Sequence, residues 1–407
     1  MNNPQDENIG EYRRDMVERI AHLGIFRGDA VRQAMGTVPR HMFVPQVDPE
    51  TAYAEQSVTT KPGSGKRPLS CASGPRIVAA MLEQLQLTPG CRVLEIGAGT
   101  GYNAALLAEL VGPDGQVTSL DVYPDVVDGA RGALASTGYG RVSVIHRDGG
   151  EGCVERAPYD RIIVTVGPWD VPTAWFDQLR VGGILVAPLR WRGQGYSIAF
   201  VREADRLRST GFEFCGFISM TGGDQDGERN GAIDEDGLVE FYWDEDQAVD
   251  PASLRPTLAS AELCWSGVVV GSQERVDGIW LRLTAEEFGV CRIAADRAAV
   301  ESGLCKPAIP VRSPVLVEGS SMAYLAKRPC EGEEEPMFEL GAICHGERGL
   351  ELGQRLCAGI QRWSSARTAF PEVTVIPRTS EIAVASAEPN VIRKPSGYLC
   401  LAYPPAP

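Results

Sequence analysis

Val93-Leu-Glu-Ile-Gly97-Ala-Gly99-Thr-Gly101-Tyr-Asn103 is the stretch that decides the fold of this chain. A short apolar run ends in glycines spaced as Gly-x-Gly-x-Gly, and a helical pattern begins at Tyr102. Glycine lets backbone turn left-handed and approach a ligand closely. A strand that passes through such a turn into a helix aims free N–H groups and the positive end of the helix at one point. The dinucleotide version of the turn needs Gly-x-Gly-x-x-Gly, and Tyr102 stands where its third glycine belongs.

Outward from the turn, short β-branched runs alternate with helical stretches. Strands are expected at residues 92–96, 116–120, 142–145, 161–166 and 183–187, with helices at 102–111, 124–135 and 172–179. That alternation predicts an α/β fold, a doubly wound parallel sheet with helices on both faces and right-handed crossovers. Asp121 closes the second strand about 20 residues after the turn, where a carboxylate can hold both ribose hydroxyls. Asp148-Gly149 closes the third, within reach of an adenine edge. Glu95, Gly97, Ala98, Gly99, Thr100, Gly101, Asp121, Val122, Asp148 and Gly149 together match the Rossmann-like fold of class I S-adenosylmethionine-dependent methyltransferases, so S-adenosyl-L-methionine is the expected cofactor.

Composition narrows the field. Of 407 residues, 43% are hydrophobic and 23% charged, as in an ordinary globular protein. No run approaches a membrane span. The polar N-terminus lacks the features of a secretory signal. The net charge of −15 argues against nucleic acid as partner. The 11 cysteines are irregularly spaced without Cys-x-x-Cys, and the four histidines are scattered, so no metal is expected. Reduced, mostly buried thiols in a cytoplasmic protein are the reading that follows.

Three regions are expected. Residues 1–222 form a catalytic domain, with N-terminal helices over 10–45 and a cofactor-binding core over 74–222. Residues 223–250 form an acidic connecting segment: from Asp224 to Asp250 there are eleven acidic residues against Arg229 alone. Phe241-Tyr-Trp243 implies that part of it packs. Residues 251–407 form a C-terminal α+β accessory domain, with strand-like pieces at 265–270, 279–284, 314–318, 322–327, 373–376 and 382–384 and one helix at about 349–363. Lys61-Pro-Gly-Ser-Gly-Lys-Arg67 is a basic loop, either a lid or a solvated turn, and residues 331–335 are an acidic loop. Trp265, Trp280 and Trp363 are expected to be core rather than a peptide groove.

Further motifs carry a family resemblance. Val38-Pro-Arg-His-Met-Phe-Val-Pro45, Ala52-Tyr53, Ser73-Gly-Pro-Arg-Ile-Val-Ala79, Ala157-Pro-Tyr-Asp-Arg-Ile-Ile-Val164, Val171-Pro172, Gln178-Leu179 and Gly182-Gly-Ile-Leu-Val186 resemble protein-L-isoaspartate O-methyltransferase over about residues 10–222. The resemblance implies a serine beside the target carboxylate. It falls on Ser73, with Ser70 as the neighbouring alternative, and a plain helix cap is the structural reading of Ser73. The donor is an activated sulfonium, so the chemistry asks mainly for proximity and orientation, and no cationic partner is required. The ester formed is open to attack by the following backbone nitrogen, giving a succinimide.

The long basic loop before Ser73 and the whole of residues 223–407 depart from the short repair enzymes. Both resemble methyltransferases that modify ribosomally made peptides, associated with lanthipeptides and graspetides. That resemblance implies methylation of an aspartate in a cyclised precursor peptide, leading to aspartimide and isoaspartate. Repair of isoaspartyl proteins is the alternative. A peptide-binding module with a vestigial cofactor site is a third reading, opposed by the intact turn and Asp121.

Overall fold

The computed structural model describes residues 4–63, 68–222, 227–331, 335–382, 384 and 388–404. Two sheets organise them. In the ten-stranded sheet, Ser143–His146, Gln116–Asp121, Arg92–Ile96, Tyr159–Val164 and Leu179–Trp191 lie side by side in parallel. Successive side chains of a strand point to opposite faces. Val93 therefore enters one core with Met35, Leu82, Leu106 and Ile163, and Leu94 enters the other with Ile162, Trp175 and Leu185. Burial on both faces is why these strands read as continuous apolar runs. The helices Pro4–His22, Asp29–Thr37, Pro75–Leu85, Tyr102–Val111 and Pro124–Ser136 contribute to the first core and Thr173–Gln178 to the second.

After Trp191 the same sheet turns antiparallel. Trp191 pairs with Gln194 across Arg192-Gly193, whose φ values of 49° and 77° form the two-residue turn that suits strand twist. Gln194–Arg202, Leu207–Phe214, Glu372–Pro377, Gly397–Ala402 and Val391–Arg393 complete the sheet. The chain thus returns to its first sheet at its C-terminal end, and residues 372–402 do not sit with the accessory region in which the sequence placed them. Among the expected strands, 382–384 does not form at Ile382 or Val384; residue 383 lies outside the described residues.

The second sheet has seven strands, in the order Glu228–Ala232, Val239–Asp244, Val290–Ala295, Ser313–Glu318, Ser321–Pro329, Met337–His345, Glu262–Gly271. Its pairs are antiparallel. The acidic segment is therefore not a connector: residues 228–244 are a hairpin of this sheet. Val239 and Phe241 alternate inward to full burial, Glu240 takes the opposite face, and Asp234 and Asp244 are buried with backbone N–H groups donated to them. Residues 223–226 of that segment lie outside the described residues, as do 64–67 of the basic loop and 332–334 of the acidic loop. The helix Gly349–Ser364 lies on the sheet through Leu352, Leu356 and Ile360. Residues 279–284, expected as a strand, belong to the helix Asp277–Glu286. Ile279, Trp280 and Leu283 enter the core of the second sheet, while Leu281 and Ala285 enter that of the first. A helix wedged between two cores is apolar all round, and a short run of that kind cannot be told from a strand by periodicity. Trp280 and Trp363 are core, and Trp265 is half-buried.

The two sheets are joined by buried charge. Arg192 donates its backbone N–H to Asp244 at 3.0 Å and its guanidinium to Asp246, while Trp280 Nε1 donates to the Arg192 carbonyl at 3.1 Å. Lys394 Nζ donates to the Arg190 carbonyl at 3.1 Å, lies 3.7 Å from Asp244 and sits 3.7 Å from the Trp169 ring centre. Burial pushes the Lys394 ammonium down to about 8, against the pull of Asp244.

An unfolded lysine titrates near 10.4. Between about pH 8 and that value the unfolded chain binds more protons, so this group's contribution to stability rises with pH across that window. Thermal unfolding of wild type and Lys394→Met should show the wild type gaining relative to the variant between pH 7.5 and 10, by up to about 3 kcal/mol. Parallel curves would refute this assignment.

Candidate active site

The first sheet opens a cleft at the carboxyl ends of Arg92–Ile96, Gln116–Asp121 and Tyr159–Val164, and the strand order reverses between the first and the last of these. This is where open α/β sheets bind ligands. The cleft encloses about 1050 Å³, open solvent included. Its floor is the glycine turn. Gly97, Gly99 and Gly101 have φ values of 97°, 51° and 85°. A Cβ on Gly97 would stand 2.7 Å from Thr165 Oγ1, and one on Gly101 3.2 Å from Leu134. A Cβ on Gly99 would meet nothing closer than 4.0 Å and would project toward the Cys71 carbonyl and the Ser70 hydroxyl opposite. The first and last glycines are thus required by the protein's own packing, and the middle one keeps the cleft open. Residues 97 and 98 donate their N–H groups to the Leu120 carbonyl at 2.8 and 2.9 Å, stitching the turn to the neighbouring strand.

Gly97, Ala98, Gly99, Thr100, Asp121, Val122 and Gly149 line the cleft. The Asp121 carboxylate accepts the N–H groups of Gly99 and Tyr123, both at 3.1 Å, which holds it at the strand end. Burial nevertheless pushes it above the usual aspartate range. These residues fit a nucleoside whose sugar hydroxyls meet Asp121 and whose remainder lies along the turn. Glu95, Gly101 and Asp148 do not line the cleft, for reasons of packing. Glu95 is fully buried beneath the turn and accepts from Ser119 Oγ and, at 2.8 Å, from Asn103 Nδ2. It reaches the cleft only through Asn103, which does line it. Gly101 packs toward Leu134. Asp148 folds back to accept the Gly150 N–H at 2.9 Å.

Ser73 lines the cleft, and so does Ser70. Ser70 Oγ already accepts a hydrogen bond from Thr60 Oγ1 at 3.0 Å within the hairpin Val58–Lys61 and Ser70–Ala72. The helix Pro75–Leu85 is capped at Gly74 without a side-chain hydrogen bond, so Ser73 is not its cap. The hairpin bears on the far side of the cleft through Lys61, which pairs with Asp125 and lies 4.7 Å from the Tyr123 ring centre. Lys61 of the basic loop is thereby a contact across the cleft mouth.

Arg40, Tyr102, Asn103, Tyr123, Thr165 and the 217–221 stretch also line the cleft and were not singled out from sequence. Gly167 bridges Ser219, which brings that stretch over the strand end. Nothing local marks residues 217–221; Arg40 was visible, with His41 beside it, inside a motif whose other residues are apolar. Among the described residues, no group of three or more His, Cys, Asp or Glu side chains could hold a metal ion, and no helix is long and apolar enough to cross a membrane.

A doubly wound sheet with a glycine turn and an acidic second strand end defines a class I S-adenosylmethionine-dependent methyltransferase. The family model described as Protein-L-isoaspartate(D-aspartate) O-methyltransferase matches residues 11–225, and the chain belongs to that family. It is accordingly an enzyme, an O-methyltransferase whose methyl donor is S-adenosylmethionine. A protein-L-isoaspartate O-methyltransferase of Methanopyrus kandleri is 41% identical over 219 residues, 53% of this chain and 94% of that protein. One of Hyperthermus butylicus is 38% identical over 226 residues, 53% and 91%. A solved structure titled protein-L-isoaspartate O-methyltransferase is 20% identical with a TM-score of 0.52, yet covers 90% of this chain and 98% of its own. That likeness concerns fold alone. It extends well past residue 225, so a second region of this kind does not by itself set the chain apart from proteins so titled.

Burial pushes the Glu95 carboxyl up to about 7, opposed by the Ser119 and Asn103 hydrogen bonds. The folded state therefore holds a proton that an unfolded glutamate releases near 4.3. Its stabilising contribution is complete below that value and is lost as pH rises through about 7. Glu95→Gln mimics the protonated side chain. By thermal unfolding it should match wild type at pH 5 and exceed it at pH 8 by up to about 3 kcal/mol, while calorimetric affinity for S-adenosylhomocysteine stays within about threefold. A large loss of affinity would place Glu95 in direct contact with the cofactor.

Proposed function

We propose that this enzyme methylates the free α-carboxylate of L-isoaspartyl residues in polypeptides, and that Ser73 orients that carboxylate. The observation that carries the reading is a cleft with two walls of different kinds. One wall is the glycine turn with Asp121, suited to a nucleoside. The other is the 69–73 segment, which presents a serine with no side-chain hydrogen bond among the described residues and no capping duty. The family's relatives bear the same activity in their names.

S-adenosylmethionine, when bound, supplies an already activated methyl group. The protein's tasks are to align and to dry. The glycine turn and the first residues of Tyr102–Val111 line the cleft, and Asp121 takes the sugar hydroxyls. Ser73 donates to one carboxylate oxygen and leaves the other free to attack in line. Val78, Met81, Ile163 and Val166 provide apolar wall and exclude water from the reacting atoms. Alignment of this kind supplies several kcal/mol without any acid or base.

A second reading keeps the site and changes the substrate: an ordinary aspartyl carboxylate in a cyclised ribosomal peptide. Its support lies in the sequence, where a long segment with the basic residues Lys61, Lys66 and Arg67 joins the two hairpin strands.

Two isomeric peptides, isoaspartyl and aspartyl, separate the readings. Mass-resolved methyl transfer is expected on the isoaspartyl form. Transfer only to a cyclised aspartyl peptide would support the second reading, and binding of S-adenosylhomocysteine with transfer to no peptide would refute both. Ser73→Ala is expected to lower kcat/KM roughly tenfold, the worth of one hydrogen bond, with S-adenosylhomocysteine affinity unchanged. Ser70→Ala is expected to leave the rate within about twofold; the opposite pattern would transfer the role to Ser70.

A further inference from the structure

Arg40 is a buried cation that lacks an anion. It is 1% exposed and borders the cleft. Its Nε donates to the Ala52 carbonyl and its Nη2 to the Ser73 carbonyl, both at 2.7 Å. Nη1 and the Tyr102 hydroxyl are both buried and neither makes a well-formed hydrogen bond among the described residues; the Tyr102 ring centre lies 4.9 Å from the guanidinium carbon, and the two side chains meet only in a weak polar contact that carries no charge. Two orphaned polar groups on one cleft wall are an exception that a folded protein seldom tolerates without use.

The surrounding titratable groups do not answer the charge. Glu55, the one carboxylate whose field acts on Arg40, is exposed and already accepts the Arg76 N–H at 3.1 and 3.2 Å. Burial raises Tyr53, Tyr102 and Cys71 above their ordinary values, so all three face Arg40 in neutral form. A guanidinium left in this state is expensive, and a carboxylate is its best-matched planar partner.

We infer that Arg40 receives the substrate carboxylate on Nη1, beside Ser73, and keeps it ionised inside the dry cleft. The inference deepens the carboxyl-methylation reading and rests on it, for either substrate. A desolvated carboxyl group tends to take up a proton and cease to be a nucleophile. A fixed guanidinium opposes that without occupying the second oxygen. The Nη2 bond to the Ser73 carbonyl couples the two partners, so one side chain sets both the charge and the position of the hydroxyl. The same arrangement disfavours a carboxamide, which can offer its carbonyl oxygen but no charge to the buried guanidinium.

The test uses the full-length enzyme, whichever peptide isomer it methylates, and Arg40→Gln and Arg40→Lys. Calorimetric binding of S-adenosylhomocysteine reports an intact fold. For Arg40→Gln, kcat/KM should fall at least about 30-fold, as for loss of one partner of a buried charge pair. The acid limb of the kcat–pH profile should also move up by about one pH unit or more, because the carboxyl is then harder to ionise. Arg40→Lys should lose rate while its acid limb stays near that of wild type.

A fall in rate with no movement of the limb in Arg40→Gln would reduce Arg40 to a structural brace and overturn the inference. So would a loss of less than about threefold. If neither variant binds S-adenosylhomocysteine, wild-type inhibition decides. The carboxamide analogue of the peptide should inhibit at least about 30-fold more weakly than the carboxylate product analogue, and equal inhibition would overturn the inference. Failure of the wild type to methylate any carboxyl peptide refutes the underlying reading instead.

Discussion

A Cβ at residue 97 would stand 2.7 Å from Thr165 Oγ1, and one at residue 101 3.2 Å from Leu134. The chain must leave its central strand and enter a helix inside that gap, with left-handed φ at three of five residues. Only glycine does this without strain. The consequences spread outward. The helix that follows begins at the cleft, Asp121 can reach back to the Gly99 N–H, and Asn103 can hang from the buried Glu95. Lose the turn and the nucleoside wall, the helix N-terminus and the placement of the second strand end go together.

The opposite wall is held by charge rather than by backbone geometry. Arg40 ties the Ala52 carbonyl to the Ser73 carbonyl across sequence separations of 12 and 33 residues. It does so from a position where an unpaired cation is costly. The N-terminal helices and the hairpin thus serve as scaffolding for one buried guanidinium, while the sheet serves the turn. A methyl donor that arrives activated leaves the protein little to do except bring these two walls to the right separation and exclude water between them. The buried Glu95 and Lys394 belong to the same economy of charge: each titrates away from its ordinary range because folding withdraws it from water.

The second sheet is joined to the first by a polar seam within apolar surroundings. Arg192 sits at a hairpin tip with positive φ, held by Asp244 and Asp246, and Lys394 returns from the last third of the chain to share Asp244. The helix Asp277–Glu286 feeds both cores, and the C-terminal strands join the first sheet by pairing Glu372–Pro377 with Leu207–Phe214. The accessory region is built into the catalytic sheet's antiparallel edge.

The glycine spacing, the acidic strand end and the alternation of apolar runs were enough to read the parallel half of the fold and the cofactor, because those features obey local rules of backbone freedom and period. Local rules failed where neighbours distant in sequence decide. Residues 279–284 are apolar for the sake of two cores and so form a helix. The acidic 228–244 stretch is a hairpin because Val239 and Phe241 find a sheet to cover them. Glu95 and Asp148 fit the pattern of cofactor ligands, yet packing turns one beneath the turn and the other back on its own loop. Arg40 stood in plain view inside Val38-Pro-Arg-His41, but its meaning is a missing partner, and whether a charge has a partner is known only when everything around it is in place.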